Sequence, residues 1–435
     1  MATERHELAV YINQARIGRV FARRETLHFE YEAAWRGDKS SFPLSYSLPL
    51  ALEAHSGATV MNYLRGLLPD NEHLLRQWGR RFGVPPHSPI KMLAHVGQDC
   101  AGAVRFLPAE VGPEEAGSVD WLDGDGLCER IEDLVLGRGD GRLAGDEGQF
   151  SLAGAQYKTA LVYDDDKDRW GVPKGREPTT FILKPAIEGI EHQVWNEHFC
   201  LRLARECGLA AAESRVLEIC GHSVIVVQRY DRIRSGRSMT RVHQEDMCQA
   251  LAVQPDRKYE NEGGPGVPDI MRVLDSSESS AEDHERFLRA VLFNVLIGGT
   301  DAHAKNYSIL WDRGPSMRLA PLYDLNSILP YVRPRGHDYH WPRVRSSMRI
   351  GTHYVLAGLQ PQHFEQMAER CAYPSTRLHH LLRDMAMQVA EATLHVSNRV
   401  VKEGAPIRFV GQLRDSIEEH CTGWLKRFNV DQLRL

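Results

Sequence analysis

Long apolar runs are missing from this sequence. The most apolar stretches, Val224 to Val227 and Ala290 to Ile297, fall far short of the roughly 18 to 20 residues of a membrane-spanning helix. No membrane association is expected. The opening MATERHELAV lacks a basic stretch followed by an apolar one, so no secretory leader is expected and the expected location is cytoplasmic. The eight cysteines (Cys100, Cys128, Cys200, Cys207, Cys220, Cys248, Cys371 and Cys421) form no C-x-x-C pair. They are expected to be reduced, mostly structural thiols, with no zinc spacing among them. The histidines contain no H-E-x-x-H motif, which leaves a metallopeptidase unsupported. An excess of one charge sign is absent too. Lys plus Arg is 53 against 58 for Asp plus Glu, a net charge of −5, which excludes a protein that coats nucleic acid by bulk charge.

What remains is ordinary globular composition over 435 residues, 42% hydrophobic and 26% charged. At about 150 residues per domain that length fits two to three domains. Residues 1–110 read as a small β-rich domain. A hairpin from Leu8 to Phe21 turns at Asn13-Gln14, a strand follows from Leu27 to Tyr31, and a helix follows the Pro69-Asp70-Asn71 turn. Residues 111–148 are dense in Gly, Asp and Glu and read as a linker holding one short helix, Leu127 to Leu136. The third region, 149–435, splits into strand-like pieces over 149–230 and a helical part over 240–435. Its expected helices include Gln244 to Ala252, Ala281 to Ile297, Gln362 to Cys371, Thr376 to Val401 and Pro406 to Phe428. The order is strand-rich, then helix-rich.

Chemistry concentrates in two runs of the helical part. In GTDAHAKNYSILW, residues 299–311, Asp301 and Asn306 are separated by four residues. Kinase catalytic loops use that spacing, with the Asp accepting the hydroxyl proton and the Asn holding a metal ion. A capping Asp and a turn Asn would look the same in any loop. In LAPLYDLNS, residues 319–327, an apolar strand ends at Tyr323 and presents Asp324, a second carboxylate placed for Mg²⁺. Upstream, Lys184 ends the apolar strand FILKP in a chain with ten lysines against 43 arginines. Such a lysine suits nucleotide phosphates, with Glu197 as a candidate ion-pair partner. The Gly/Ala-rich segment from Ser151 to Thr159 offers backbone N–H groups to phosphate oxygens, but matches neither G-x-G-x-x-G nor the Walker pattern.

The ordered set SLAGAQ-x-KTAL, FILKP, NEHFCLRLA, QRYDR, GTDAHAKNYSI and LAPLYDL resembles the HipA family of bacterial Ser/Thr kinase toxins. GLLPDNEHLLRQWGRRFGV and DCAGAVRFLP resemble that family's amino-terminal domain, so the resemblance covers roughly residues 8 to 400. It implies an α+β, two-lobed protein-kinase-like fold, with a small β-rich lobe, a helix-rich lobe and ATP in the cleft between them. By motif, Asp301 is the catalytic base, Asn306 and Asp324 hold Mg²⁺, and Lys184 contacts the phosphates. The loop Gly154, Ala155, Gln156, Tyr157, Lys158 and Thr159 covers the phosphates. Gln228, Arg229 and Tyr230 form the adenine-side hinge, and His303, Lys305 and Tyr323 border the nucleotide. Tyr157 stands where the family usually has Glu, which puts in doubt any contact that depends on that carboxylate. The resemblance further implies autophosphorylation on Ser151 and an aminoacyl-tRNA synthetase or another translation protein as target. It implies a helix-turn-helix antitoxin of the HipB type as partner, with operator DNA engaged through that complex.

Two other readings share these residues. One is a catalytically silent co-repressor packed on a DNA-bound partner, with Arg229, Arg232, Arg234, Arg237 and Arg241 touching phosphate backbone. The other is a small-molecule kinase. The basic segment RPRGHDYHWPRVR, residues 333–345, is either part of a substrate platform or a solvated loop.

Overall fold

The alternation of apolar residues in ELAVYI and ARIGRVFAR makes two strands, Glu7–Ile12 and Ala15–Arg23, and the turn between them is released by Asn13 at a positive φ of 52°. In the computed structural model, which describes residues 7–110, 112, 117–139, 142–143, 150–236, 238–332 and 341–427, these strands centre a five-stranded sheet. Its order is Ala54–Ser56, Thr26–Tyr31, Ala15–Arg23, Glu7–Ile12, Val104–Pro108, antiparallel throughout. The helix Glu72–Phe82 starts where Asn71 accepts hydrogen bonds from the His73 and Leu74 amides, and it stops at Gly83 in the left-handed region. Leu74, Leu75 and Trp78 from this helix join Val10, Ile17, Val20 and Phe29 of the sheet in one core.

The second sheet has six strands, in the order Ser214–Ile219, His222–Gln228, Phe181–Pro185, Thr159–Asp164, Arg169–Lys174, Ser118–Trp121. Two of these strands depart from the sequence expectation. The run DDDKDRWGVPKGREP, residues 164–178, reads as a polar loop, but within it Arg169–Lys174 is a strand whose Trp170 and Val172 alternate inward and are buried against Leu161 and Leu183. Ser118–Trp121 lies within the expected linker and pairs with Arg169–Lys174 from Ser118↔Lys174 to Trp121↔Gly171. The helix that follows, Gly124–Val135, is capped by Asp123 and buries Ile131 and Leu134 against the same sheet. Cys128 in that helix is disulfide-bonded to Cys220 in the hairpin turn, with Cα atoms 5.7 Å apart, which corrects the expectation of eight reduced thiols. The other six cysteines are free, and all but Cys371 are buried.

Helices dominate the rest, chiefly Gln193–Glu206, Val267–Leu274, Ser280–Ile297, Pro361–Arg370, Ser375–Lys402 and Ile407–Arg427. Val267–Leu274 is absent from the sequence expectation. The expected helix from Gln244 becomes a strand, His243–Asp246, and a short helix, Met247–Ala250, started by a capping box between Asp246 and Gln249. No helix among the described residues is long and apolar enough to cross a membrane.

The chain forms two compact units. The first takes residues 1–188, 217–256 and 309–317, and the second 189–216, 257–308 and 318–435. The expected α+β class, strand-rich towards the amino terminus and helix-rich towards the carboxy terminus, is the class observed.

Candidate active site

The second unit carries Asp301, His303, Lys305, Asn306, Tyr323 and Asp324. The helix Ser280–Ile297 is buried through most of its last two turns and ends at Gly298 with φ 67°. Any other residue there would place a Cβ 2.8 Å from the Leu329 side chain, so the abrupt turn out of the helix needs glycine. The chain then closes a small loop on itself. The Asp301 carbonyl accepts from the His303 amide at 2.8 Å and from Asn306 Nδ2 at 2.6 Å, while the Asn306 amide donates to the His303 carbonyl at 2.9 Å. With its nitrogen turned to Asp301, Asn306 keeps its amide oxygen as a donor atom for a cation. Asp301 is exposed, and its Oδ1 accepts from the Tyr259 hydroxyl at 2.8 Å.

His303 is buried, with Nε2 3.7 Å from Asp301 Oδ1 and the Tyr259 ring edge-on at 5.0 Å between centroids. Burial pushes its imidazole down to about 4, Asp301 opposes that shift, and Lys258 and Lys305 add to it. His303 is therefore neutral at pH 7 and serves as a rigid wall of the loop rather than a cation. Its Nδ1 is buried without a hydrogen-bond partner among the described residues.

Tyr323 ties the second acidic residue to this loop. Its hydroxyl donates to the Lys305 carbonyl at 2.6 Å and lies 2.7 Å from Ser308 Oγ. Asp324 follows, in the left-handed region at φ 52°. Two brackets hold it there. On one side Leu322 bridges Ala211, with the Leu322 amide to Ala210 O and the Ala212 amide to Leu322 O both at 2.8 Å. On the other, the Asn196 amide acts as a strand edge, donating to the Ser327 carbonyl at 2.7 Å and accepting from the Ser327 amide at 2.9 Å. A non-glycine residue at positive φ is a sparsely populated conformation, kept where the surroundings over-determine it. Glu197, the candidate partner of Lys184, is buried one residue on from Asn196, with Gln193 Nε2 3.4 Å from its Oε2.

The first unit carries Ser151, the loop from Gly154 to Thr159, Lys184, and Gln228 to Tyr230. Lys184 is buried mid-sheet, in register with Ile225. The loop is held by the amino-terminal domain. Pro69 bridges Gly154, the Asp70 amide donates to the Gly154 carbonyl at 3.1 Å, and Asn71 Nδ2 donates to the Ala155 carbonyl at 3.2 Å. Tyr157, standing in place of the expected carboxylate, has its hydroxyl 2.9 Å from His73 Nδ1. Lys158 folds back to the Ala153 carbonyl at 2.8 Å, and Gln156 Nε2 reaches the Pro185 carbonyl at 3.0 Å. Gly154 has φ 103°, a backbone conformation that side-chain-bearing residues rarely adopt, so the turn here requires glycine. Thr159 Oγ1 is buried without a hydrogen-bond partner among the described residues.

The hinge segment turns one side chain outward and buries the next. Gln228 is exposed, but the Arg229 guanidinium is buried among Asp99, Asp231, Thr179 and the Cys100 carbonyl. Arg232 Nη2 and Arg241 Nε lie 2.9 and 3.0 Å from Asp99 Oδ1 in the same cluster. Burial alone would raise the Asp99 carboxyl, but Arg232, Arg241, Arg229 and the Thr179 hydroxyl hold it well below the usual carboxylate range. Tyr230 donates its hydroxyl to Gln244. Arg229, Arg232 and Arg241 are thus internal, which corrects the reading in which these three touch DNA phosphates. Arg234 is exposed, and Arg237 lies outside the described residues, as do residues 333–340 of the candidate substrate platform.

Tyr259 and Asn196 are the two structural participants that spacing does not reveal. Asn196 sits in the NEHFCLRLA run, where its signal was present but attached to Glu197. Tyr259 is 42 residues from Asp301 and belongs to no motif singled out.

Comparison with known proteins agrees along the chain. Residues 150–393 match the HipA-like C-terminal domain, and residues 8–107 the HipA N-terminal domain. A Sinorhizobium fredii protein named as a candidate kinase, Y4mE, is 37% identical over 379 residues, covering 85% of this chain and 86% of its own. The serine/threonine-protein kinase toxin HipA of Shewanella oneidensis is 29% identical over 324 residues, 71% of each chain. The solved complex of Shewanella oneidensis HipA with HipB and operator DNA superposes with a TM-score of 0.83 at 23% identity, covering 98% of this chain and 99% of that one. With both characteristic domains in order and a relative of this similarity along most of its length, the chain belongs to the HipA family of bacterial Ser/Thr kinase toxins.

Proposed function

We propose that the chain is an ATP- and Mg²⁺-dependent protein serine/threonine kinase and the toxin of a toxin–antitoxin pair. The observation that carries this reading is the closed loop in which Asn306 is bonded to the Asp301 backbone, beside an Asp324 held in a left-handed conformation. Asp301 takes the proton of the acceptor hydroxyl as its oxygen bonds to the γ-phosphorus, and ADP leaves with the electrons of the broken P–O bond. Lys184 and the backbone amides of Gly154 to Thr159 neutralise the phosphates. Gln228, Arg229 and Tyr230 meet the adenine through their backbone, since the Arg229 side chain is engaged elsewhere. His303, Lys305 and Tyr323 shape the pocket floor.

The donors fit Mg²⁺. The Asn306 amide oxygen and the Asp324 carboxylate are hard oxygen ligands, and a site completed by phosphate oxygens and water needs no third carboxylate. Among the described residues no group of three or more His, Cys, Asp or Glu could hold a metal ion. When bound, Mg²⁺ offsets charge on the phosphates.

The relative solved with HipB and operator DNA supports a HipB-type helix-turn-helix partner and operator contact through it. An aminoacyl-tRNA synthetase or another translation protein is the proposed target, and Ser151 the proposed autophosphorylation site. Relatives named as kinases and as a protein-kinase toxin favour this over a small-molecule kinase. The test is transfer from labelled Mg²⁺·ATP to protein. The wild-type chain labels, and Asp301→Ala loses the rate by orders of magnitude with unchanged melting. Equal labelling by the two removes Asp301 from the chemistry, and absence of labelling by wild type with purified candidate targets favours the silent co-repressor.

A further inference from the structure

We infer that Tyr259 is the positioning residue of the catalytic base. This rests on the kinase reading above and adds to it the group that orients Asp301. The Asp301 carboxylate is largely exposed, 61% of the side chain, and the torsion that turns it is soft. Its backbone is fixed by His303 and Asn306, but those bonds go to the carbonyl and leave the carboxylate free to rotate. The Tyr259 hydroxyl supplies the missing constraint, donating to Oδ1 at 2.8 Å. His303 Nε2, at 3.7 Å from the same oxygen, is beyond hydrogen-bond reach. Oδ2 has no partner among the described residues. The two oxygens are thereby divided: one anchored, one open to the proton of an incoming hydroxyl. A base oriented by a third group is the general logic of activated catalytic constellations.

Tyr259 is itself held on three sides. Its ring packs edge-on against the buried, neutral His303. The preceding carbonyl, of Lys258, accepts from the Ala304 amide at 3.4 Å. The following residue, Glu260, is clamped by Arg349, whose backbone amide and Nε lie 2.6 and 2.7 Å from its carboxylate. A phenol set in this way presents its hydroxyl at a defined point, and an error on the order of 1 Å in a reacting group costs about a hundredfold in rate.

Tyr259→Phe tests this, because it keeps the ring on His303 and removes only the hydroxyl. The probe is γ-labelled Mg²⁺·ATP with an added Ser/Thr acceptor protein in excess, because the chain's own Ser151 is buried. Rates are normalised to the fraction of molecules that bind Mg²⁺·ATP, so that a partly misfolded sample does not mimic the effect. The expected result is a roughly tenfold lower maximal rate with the half-saturating ATP concentration within about twofold of wild type. In an Asp301→Ala background the same substitution brings no further loss, because no base remains to be oriented. A wild-type maximal rate in Tyr259→Phe, or a loss that appears only as weaker ATP saturation, overturns the inference. So does an equal proportional loss with and without Asp301. Asp301→Ala transferring at the wild-type rate overturns the kinase reading and this inference together, whereas a silent Asp301→Ala beside a wild-type-like Tyr259→Phe overturns the inference alone.

Discussion

Ser151 Oγ donates to the Leu67 carbonyl at 2.7 Å, and the Ser151 amide donates to the Asp99 carbonyl at 3.0 Å, so the hydroxyl proposed to accept phosphate is wholly buried. No active site reaches it until the segment leaves the amino-terminal domain. If Ser151 is the residue phosphorylated, its modification requires that opening, and a phosphoserine, with about −1.5 to −2 charges, would not refit the buried place of the hydroxyl. Tyr157→Phe removes the contact to His73 at 2.9 Å that helps hold the loop down. A hydrogen bond contributes about 0.5 to 1.5 kcal/mol, so Ser151 should be labelled roughly two- to tenfold faster in the variant. Time-resolved mass spectrometry of the 151 peptide is the measurement, and an unchanged rate removes the loop clamp as the gate.

Asp324 separates a metal role from a backbone role. Asn tolerates the left-handed region at least as well as Asp, whereas Ala at φ 52° costs about 1 to 2 kcal/mol. Asp324→Asn should melt like wild type yet lose affinity for Mg²⁺·ATP at least tenfold more than for adenosine. Asp324→Ala should add a drop in melting temperature. Calorimetry with both ligands decides it, and equal losses for the two would assign Asp324 to folding alone.

The Asp99 cluster is a stability element. Asp99 faces Arg229, Arg232 and Arg241 in a buried site. Asp99→Asn leaves those guanidiniums short of one negative charge, and breaking a buried pair in this way costs about 3 to 5 kcal/mol. The sign with pH follows from a carboxyl held below its unfolded value. The stabilisation is complete above the unfolded pKa near 3.9 and is lost as pH falls towards the folded one. Urea denaturation of the variant at pH 7 tests the magnitude, and a loss under about 1 kcal/mol would make the cluster dispensable.

Glu245 runs the opposite way. It is buried under Ser45, the Tyr46 amide at 2.7 Å and Trp311 Nε1 at 3.0 Å. Burial outweighs these bonds and pushes the carboxyl up to about 7. A raised carboxyl favours the folded state when protonated. Its contribution is therefore full below the unfolded value near 4.3, and it falls as pH rises to about 7. Glu245→Gln should melt higher than wild type at pH 8, and the advantage should vanish near pH 5. A pH-independent difference would show that Glu245 stays ionised throughout.

Much of this was legible in the sequence because the chemistry is local. Asp301 and Asn306 share one loop, and the closing bond from Asn306 to Asp301 is a consequence of their spacing. The helix Glu72–Phe82 announced itself by Asn71 and Gly83. The misses are non-local. Arg169–Lys174 is polar in composition, and only pairing with strands on both sides makes Trp170 and Val172 core residues. The arginines after Gln228 read as phosphate contacts because Asp99, which neutralises them, lies about 130 residues upstream. Tyr259 reaches Asp301 across two intervening α-helices, Val267–Leu274 and Ser280–Ile297, where no periodicity points.

The division of the chain into interleaved segments sets an order for its birth. The first unit is not complete at residue 188 or even at 256, because residues 309–317 belong to it, with Trp311 donating to Glu245. Residues 257–308, which include Asp301, must leave the ribosome before that unit can close. Domains usually fold as they emerge, amino-terminal first. Here the buried Glu245 waits for a partner 66 residues away, with more than 50 residues of the other unit in between. Nascent chains halted before residue 311 would carry an unfinished first unit, and no single cut in the gene yields either unit by itself.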